Sequence, residues 1–233
     1  MFSRLMHSRS TVAWGLAALV ILTGAVVTTA RVERYSQRPY LHDNLYLPSG
    51  QLARQVSLGY RELAADMVWF SAVQYYGGYR KSYHDLAYFE GLVRIVTDLD
   101  PYFVFPYQFG AAVLASDMAS FDRGIELLRK GMVNNPTRWE FPFEIGFLSY
   151  IGCEDNDMAA RYFELAARLP GGGDRARRFA AFVYSRAGHQ ENSIRMWQEL
   201  LETSDVPWMR ELAERSIEKL RAKPQERATR NDT

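Results

Sequence analysis

The chain has 233 residues, 48% of them hydrophobic and 14% aromatic, and a formal net charge of +1. That is enough for one compact body plus an anchor. The near-neutral balance gives no support to nucleic-acid binding, which needs a strongly basic face. The single cysteine, Cys153, excludes an internal disulfide and a thiolate zinc site.

Residues 1–10 form a short N-terminal tail. From Thr11 to Ala30 the sequence reads TVAWGLAALVILTGAVVTTA, without a charge. Twenty helical residues reach roughly 30 Å, the thickness of a bilayer core, so 11–30 reads as a transmembrane anchor. Trp14 suits the interface at one end. The length favours an uncleaved signal-anchor over a cleaved signal peptide, whose apolar run is shorter. Arg4 and Arg9 precede the segment; Arg31, Arg34 and Arg38 follow it, so charge nearly balances across it. The short N-tail favours an extracytoplasmic body, and the charge balance leaves a cytoplasmic one open.

Residues 31–50 read as a linker, broken by Ser36, Pro39, Asn44, Pro48, Ser49 and Gly50. From 51 to 205 the pattern is helical throughout. Tyr60, Leu63, Ala64, Met67 and Ser71 share one face at helical spacing, and Gly77-Gly78 offers a stop. A second helix is predicted from about Tyr83 to Thr97. Asp66 stands among Ala64, Ala65, Met67, Val68 and Trp69; if buried it needs a partner, such as Arg54 or Arg61.

Pro101, Pro136 and Pro170 then fall 35 and 34 residues apart, each closing a two-helix pattern. In the second unit Ala112 takes the small position of the first helix and Phe121 the aromatic of the turn. Gly124, Leu128 and Gly131 take small, large and small positions on the second helix. The third unit repeats this with Gly146, then Ala159, Phe163 and Ala166. The fourth offers Ala181 and Tyr184, then Ser193, Trp197 and Leu200. Small residues admit close helix approach and the large one fills the gap between units. Pro170-Gly171-Gly172-Gly173 reads as a flexible break.

A capping helix is expected over 206–222, with Asp205 as its N-cap and Trp208, Leu212 and Leu220 covering the last repeat. Residues 223–233 are charged and read as a flexible tail.

A period near 34 with a helix–turn–helix per unit resembles the tetratricopeptide family over about Phe70 to Asp205. The match is degenerate: Gln108 and Arg177 stand where a tryptophan is favoured, and Phe89 where alanine is. A narrower resemblance lies in Leu47-Pro48-Ser49-Gly50, Ser57-Leu58-Gly59-Tyr60, Ala65-Asp66-Met67-Val68-Trp69, Leu99-Asp100-Pro101-Tyr102-Phe103 and the run Trp139 to Phe147. These look like a group of bacterial membrane-anchored tetratricopeptide proteins. The resemblance implies an all-α helical-hairpin solenoid with one N-terminal transmembrane helix in a bacterial inner membrane. It implies no particular activity.

In that family the first helix of each unit lines the concave face. The implied groove includes Ser71 and Gln74, Phe109 and Val113, then Glu140, Phe143, Phe147 and Tyr150, and then Arg175, Arg178, Phe182 and Arg186. Aromatics would anchor a peptide, helix or membrane-complex subunit and arginines would pair with its carboxylates. The same aromatics also suit packing between helices, whereas three arginines on one face have no core role.

No catalytic residues, metal ligands or cofactor motif emerge. His7, His42, His84 and His189 lack ligand spacing, and Gly171-Gly172-Gly173 lacks the lysine of a phosphate loop. Asp155 and Asp157 read as turn residues, without the glycine and closing glutamate of a calcium loop. The expectation is a scaffold that binds a partner protein. An enzyme or small-ligand binder using the aromatic groove, or a passive spacer, are the alternatives.

Overall fold

A computed structural model of the chain describes residues 23, 24, 27, 53–55, 57–83 and 85–222. The expected anchor at 11–30 and linker at 31–50 therefore fall outside the described residues, apart from 23, 24 and 27, as does the tail at 223–233. Among the described residues no helix is long and apolar enough to cross a membrane.

Nine helices are bounded among the described residues: α1 Arg61–Arg80, α2 Phe89–Leu99, α3 Val104–Ser116, α4 Phe121–Asn134, α5 Glu140–Ile151, α6 Asn156–Arg168, α7 Gly173–Ala187, α8 Gln190–Thr203 and α9 Pro207–Ala222. The chain divides into two contact units, Met1–Tyr46 with Tyr76–Asp85, and Leu47–Tyr75 with Leu86–Thr233. In the first, the described residues are chiefly the end of α1 and the turn after it. There the Tyr83 and Lys81 amides both donate to the Gly78 carbonyl, so the helix runs through Gly77-Gly78 before it closes.

The second unit is a stack of helical hairpins in which each helix from α2 to α8 packs on the one that follows it, the contact between the turn-linked α2 and α3 being lighter. The repeat is visible as one recurring contact. A methyl added at Gly124 would stand 2.9 Å from the Ala111 carbonyl oxygen, and one at Gly146 would stand 3.0 Å from that of Ala159. In the fourth hairpin Ser193 Oγ donates to the Ala181 carbonyl at 2.7 Å. Ala111, Gly146 and Ala181 are thus equivalent at a spacing of 35. The small position of the second unit is Ala111, buried, and not Ala112, which is exposed. A one-residue step on a helix turns a side chain by about 100°, enough to carry it from core to solvent.

The large positions behave as expected: Leu128, Phe163 and Trp197 are buried. Gly131 touches the ring of Phe141, where an added methyl would stand 2.3 Å from Cε1. Phe121 lies against Gly152 in the same way, joining the turn of one hairpin to the end of the next first helix.

Four expectations are corrected. α2 begins at Phe89, because the segment before it is taken up by turns. On α1 the face carrying Tyr60, Leu63, Met67 and Ser71 is the exposed one; Ala65, Ala72 and Tyr75 are buried instead, and Trp69 meets Phe103, Phe105 and Phe109 edge to face. Asp66 is exposed and so needs no buried partner. The Pro170–Gly173 segment is a tight turn against Trp139, and α7 starts at Gly173. Gly171 takes a φ of +87°, and a methyl added there would stand 2.9 Å from the indole.

At the far end α9 covers the fourth hairpin with Ala213 and Ile217, helped by Met209, Leu212 and Leu220. Trp208 is 52% exposed and turns instead toward Arg178. The residue before Pro207 is Val206, whose carbonyl receives the amides of Met209 and Arg210, so Asp205 is not the cap. The turn is tied by Ser204, which donates to Asp174 Oδ2 at 2.5 Å and accepts from the Val206 amide.

Candidate binding surface on the first helices

The residues expected to line a groove separate into three groups. Phe109 is half-buried and packs between Trp69, Phe89 and Phe105, so it ties α1 and α2 to α3. Val113 is buried in the core. Phe143 is buried as well, against Trp139, Phe163 and Phe179, and reaches the surface only at one edge. The exposed aromatics are Phe147, at 41%, and Phe182, at 47%, with Tyr150 half-buried beside Phe182.

The arginines on α7 do meet the aromatics, and in one manner. Arg175 lies over the Phe143 ring, its Cζ 4.7 Å from the centroid. Arg178 lies over Phe179 and Trp208, and Arg186 over Tyr150 and Phe182. Arg186 Nη1 also donates to the Tyr150 hydroxyl at 3.1 Å. A guanidinium over an aromatic face is held by the ring quadrupole while its N–H edge stays available. Among the described residues the ion pairs that form do not include these three arginines. None of the three is buried in the core; each lies over a ring at the surface.

Between α3, α5 and α7 lies an open pocket of about 380 Å³, lined by Gln108, Trp139, Glu140, Phe143, Glu144, Phe147 and Arg175. One side chain comes from α3, most from α5 and the residue before it, and one from α7. Pro142 sits inside the first turn of α5, where its missing N–H costs no helical hydrogen bond. α5 thereby presents Glu140 and Glu144 one turn apart on the pocket side.

The carboxylates are unevenly satisfied. Gln108 Nε2 donates to Glu144 Oε1 at 2.7 Å. Arg138 pairs with Glu140 Oε1 at 3.2 Å, while Glu140 Oε2 is buried and has no hydrogen-bond partner. Burial above all, with the neighbouring charge of Glu140, pushes the Glu144 carboxyl up to about 7, against the lowering effects of the Gln108 hydrogen bond and Arg175. Two like charges four residues apart on a helix repel, so the Glu140–Glu144 spacing is itself a signal in the sequence. Sequence reasoning missed Glu144 because the partner that half-satisfies it sits 36 residues away on another helix.

The remaining polar clusters are structural. Glu164 is buried on α6 and accepts from Tyr184, from Arg168 at 2.5 Å and from Arg195 at 2.9 Å. Burial alone would raise its carboxyl, but these donors outweigh it and hold it below the ordinary carboxylate range. Asp155 caps α6, accepting from the Met158 amide at 2.8 Å, and so ends the turn as expected. Asp157 lies instead in the first turn of α6, where it pairs with His189 at 2.5 Å. Cys153 is exposed, and slight burial with Asp122 and Asp155 nearby raises its thiol. Among the described residues no group of three or more acidic, histidine or cysteine side chains could hold a metal ion.

No family model and no curated protein matches the chain. Among solved structures, that of a mutant of MamA matches with 20% identity and a TM-score of 0.42, covering 80% of this chain and 94% of that one. The assignment of the fold rests on the helix pairing and its 35-residue contact period, not on that likeness.

Proposed function

We propose that the protein is a non-catalytic scaffold that holds a protein partner along the face built by α3, α5 and α7. One observation carries this reading. The three first helices carry an open aromatic pocket edged by the exposed Phe147, a further exposed aromatic, Phe182, and three arginines that lie over rings. Such a surface combines apolar anchors with oriented donors, the chemistry of a hot-spot cluster. The helices behind it carry ion pairs between hairpins, such as Lys130 with Asp98 at 2.6 Å, which serve the stack itself.

The apolar run at 11–30 supports tethering to a bacterial inner membrane, with the repeats on the extracytoplasmic, periplasmic side. A single-pass anchor rich in Gly15, Ala17, Ala18, Gly24 and Ala25 suits contact with other membrane helices, and so an accessory role in a larger membrane complex.

In-cell crosslinking of the full-length protein, followed by purification and mass spectrometry, tests this. A dominant partner is expected, lost when Arg175, Arg178 and Arg186 are replaced by Glu. Recovery of the protein alone would overturn the scaffold reading. A partner retained by the charge-reversed protein would mark the body as a passive spacer.

A further inference from the structure

We propose that the pocket between α3, α5 and α7 takes a lysine or arginine side chain from an extended segment of the partner, with the cation between Glu140 and Glu144 and its stem along Phe147. This rests on the scaffold reading above and names what that surface reads.

The charge distribution inside the pocket carries the inference. Two carboxylates enter it from one face of α5, and among the described residues the only cation lining it is Arg175. Arg175 is held over the Phe143 ring and forms no ion pair with either carboxylate. Glu140 is paired on its other oxygen only, which leaves Oε2 buried with no donor. A buried acceptor without a donor costs free energy that an incoming N–H would recover. The walls are aromatic: Trp139, Phe143 and Phe147 surround the carboxylates, and a pocket of that size accepts the methylene stem of a lysine or arginine. An acidic side chain would meet two carboxylates in a partly desolvated site, so the pocket rejects the very groups that the outer arginines, Arg178 and Arg186, would attract. The charge preference therefore reverses along the surface, and the fitting segment is basic at α5 and acidic toward α7 and α9.

The groups facing Glu144 are Glu140 on its own helix, Gln108 from α3 and Arg175 from α7. As pH falls below 7 the Glu144 carboxyl takes up a proton, so cation binding weakens in that direction.

An array of random twelve-residue peptides probed with the labelled full-length protein tests the proposal. The expected result is enrichment of Lys or Arg at one position, with at least tenfold loss of signal for those peptides in Glu140→Gln and in Glu144→Gln. Both substitutions are close in shape, and thermal melting checks that they fold. Arg175→Ala, which removes the competing cation, should bind the same peptides at least as tightly. Enrichment of acidic peptides alone, lost in Arg178→Glu and Arg186→Glu but not in the glutamine variants, would overturn this inference and leave the scaffold reading standing. Basic peptides that bind the glutamine variants unchanged would also overturn it. No enrichment of any peptide would count against both.

Discussion

The hydroxyl of Ser193 donates to the carbonyl of Ala181 at 2.7 Å, at the crossing where Gly124 faces the Ala111 carbonyl and, with the helices exchanging roles, the Ala159 carbonyl faces Gly146 in the two hairpins before it. Three residues of different chemistry thus serve one geometry. What the position requires is a side chain small enough for a helix backbone to pass close by; serine qualifies because its oxygen turns that closeness into a hydrogen bond.

The same closeness makes Gly131 intolerant of a single methyl. In Gly131→Ala the new carbon would stand 2.3 Å from the Phe141 ring. Alanine's helix propensity favours the change by about 1 kcal/mol, and overpacking opposes it by about 1–3 kcal/mol. A net loss of about 0–2 kcal/mol is expected. Gly77→Ala, with nothing within 4 Å of the added methyl, should instead be neutral or gain up to about 1 kcal/mol. Denaturant melts of the two variants side by side check the contrast.

Glu164 should matter more than any other charged residue on the second helices of the hairpins. It is buried under donors from Tyr184, Arg168 and Arg195. Glu164→Ala leaves the buried Tyr184 hydroxyl without its acceptor, while Arg195 keeps Glu199, and should cost about 1–3 kcal/mol, measured by chemical denaturation at pH 7. Its carboxyl is held low in the folded state, so its stabilising contribution is present above the ordinary carboxylate value and is lost as pH falls below it.

Glu144 has the opposite sign. Its carboxyl is pushed up to about 7 from 4.5, so the folded protein binds a proton that the unfolded chain releases. Its favourable contribution is complete below about pH 4.5 and lost as pH rises through 7. Glu144→Gln removes the buried charge and keeps an acceptor for Gln108. It should raise stability at pH 8 by about 1–3 kcal/mol, with the difference vanishing near pH 4.5. Melting temperatures across that range decide it; an advantage independent of pH would contradict the assignment.

On α1 the exposed stripe and the buried one exchange the roles that the hydrophobic pattern gives them. Met67 and Phe70 are 66% and 65% exposed, whereas Trp69 contacts three phenylalanine rings. Met67→Gln and Phe70→Gln should each change stability by less than about 0.5 kcal/mol, and Trp69→Ala should cost about 3 kcal/mol. Urea unfolding of the three proteins measures it.

That exchange shows where the sequence is legible and where it is not. Period, helix pairing and the large buried residues were readable because they follow from spacing along one helix and from small residues at fixed intervals. The inward side of α1 was not, since apolar residues lie all around it and only the neighbouring Phe103, Phe105 and Phe109 choose between them. On the proposed binding face the arginines and the exposed Phe147 and Phe182 were readable by register. Phe182 beneath Arg186 is an i, i+4 neighbour on α7 that register displays. Phe143 beneath Arg175, Tyr150 beside Arg186 and the pairing of Gln108 with Glu144 depend on contacts between hairpins that no single helix pattern displays.

The stacking of Arg186 between Tyr150 and Phe182, with a hydrogen bond to the tyrosine hydroxyl, has a kinetic and calorimetric consequence. A free arginine side chain gives up about 2 kcal/mol of rotational freedom when it is fixed. Here much of that loss has occurred during folding, before any partner arrives. Association on this surface should therefore carry a smaller entropic penalty than mobile arginines would impose, and Phe182→Ala, which removes one ring of the platform together with an exposed anchor, should weaken binding while leaving the charge count unchanged.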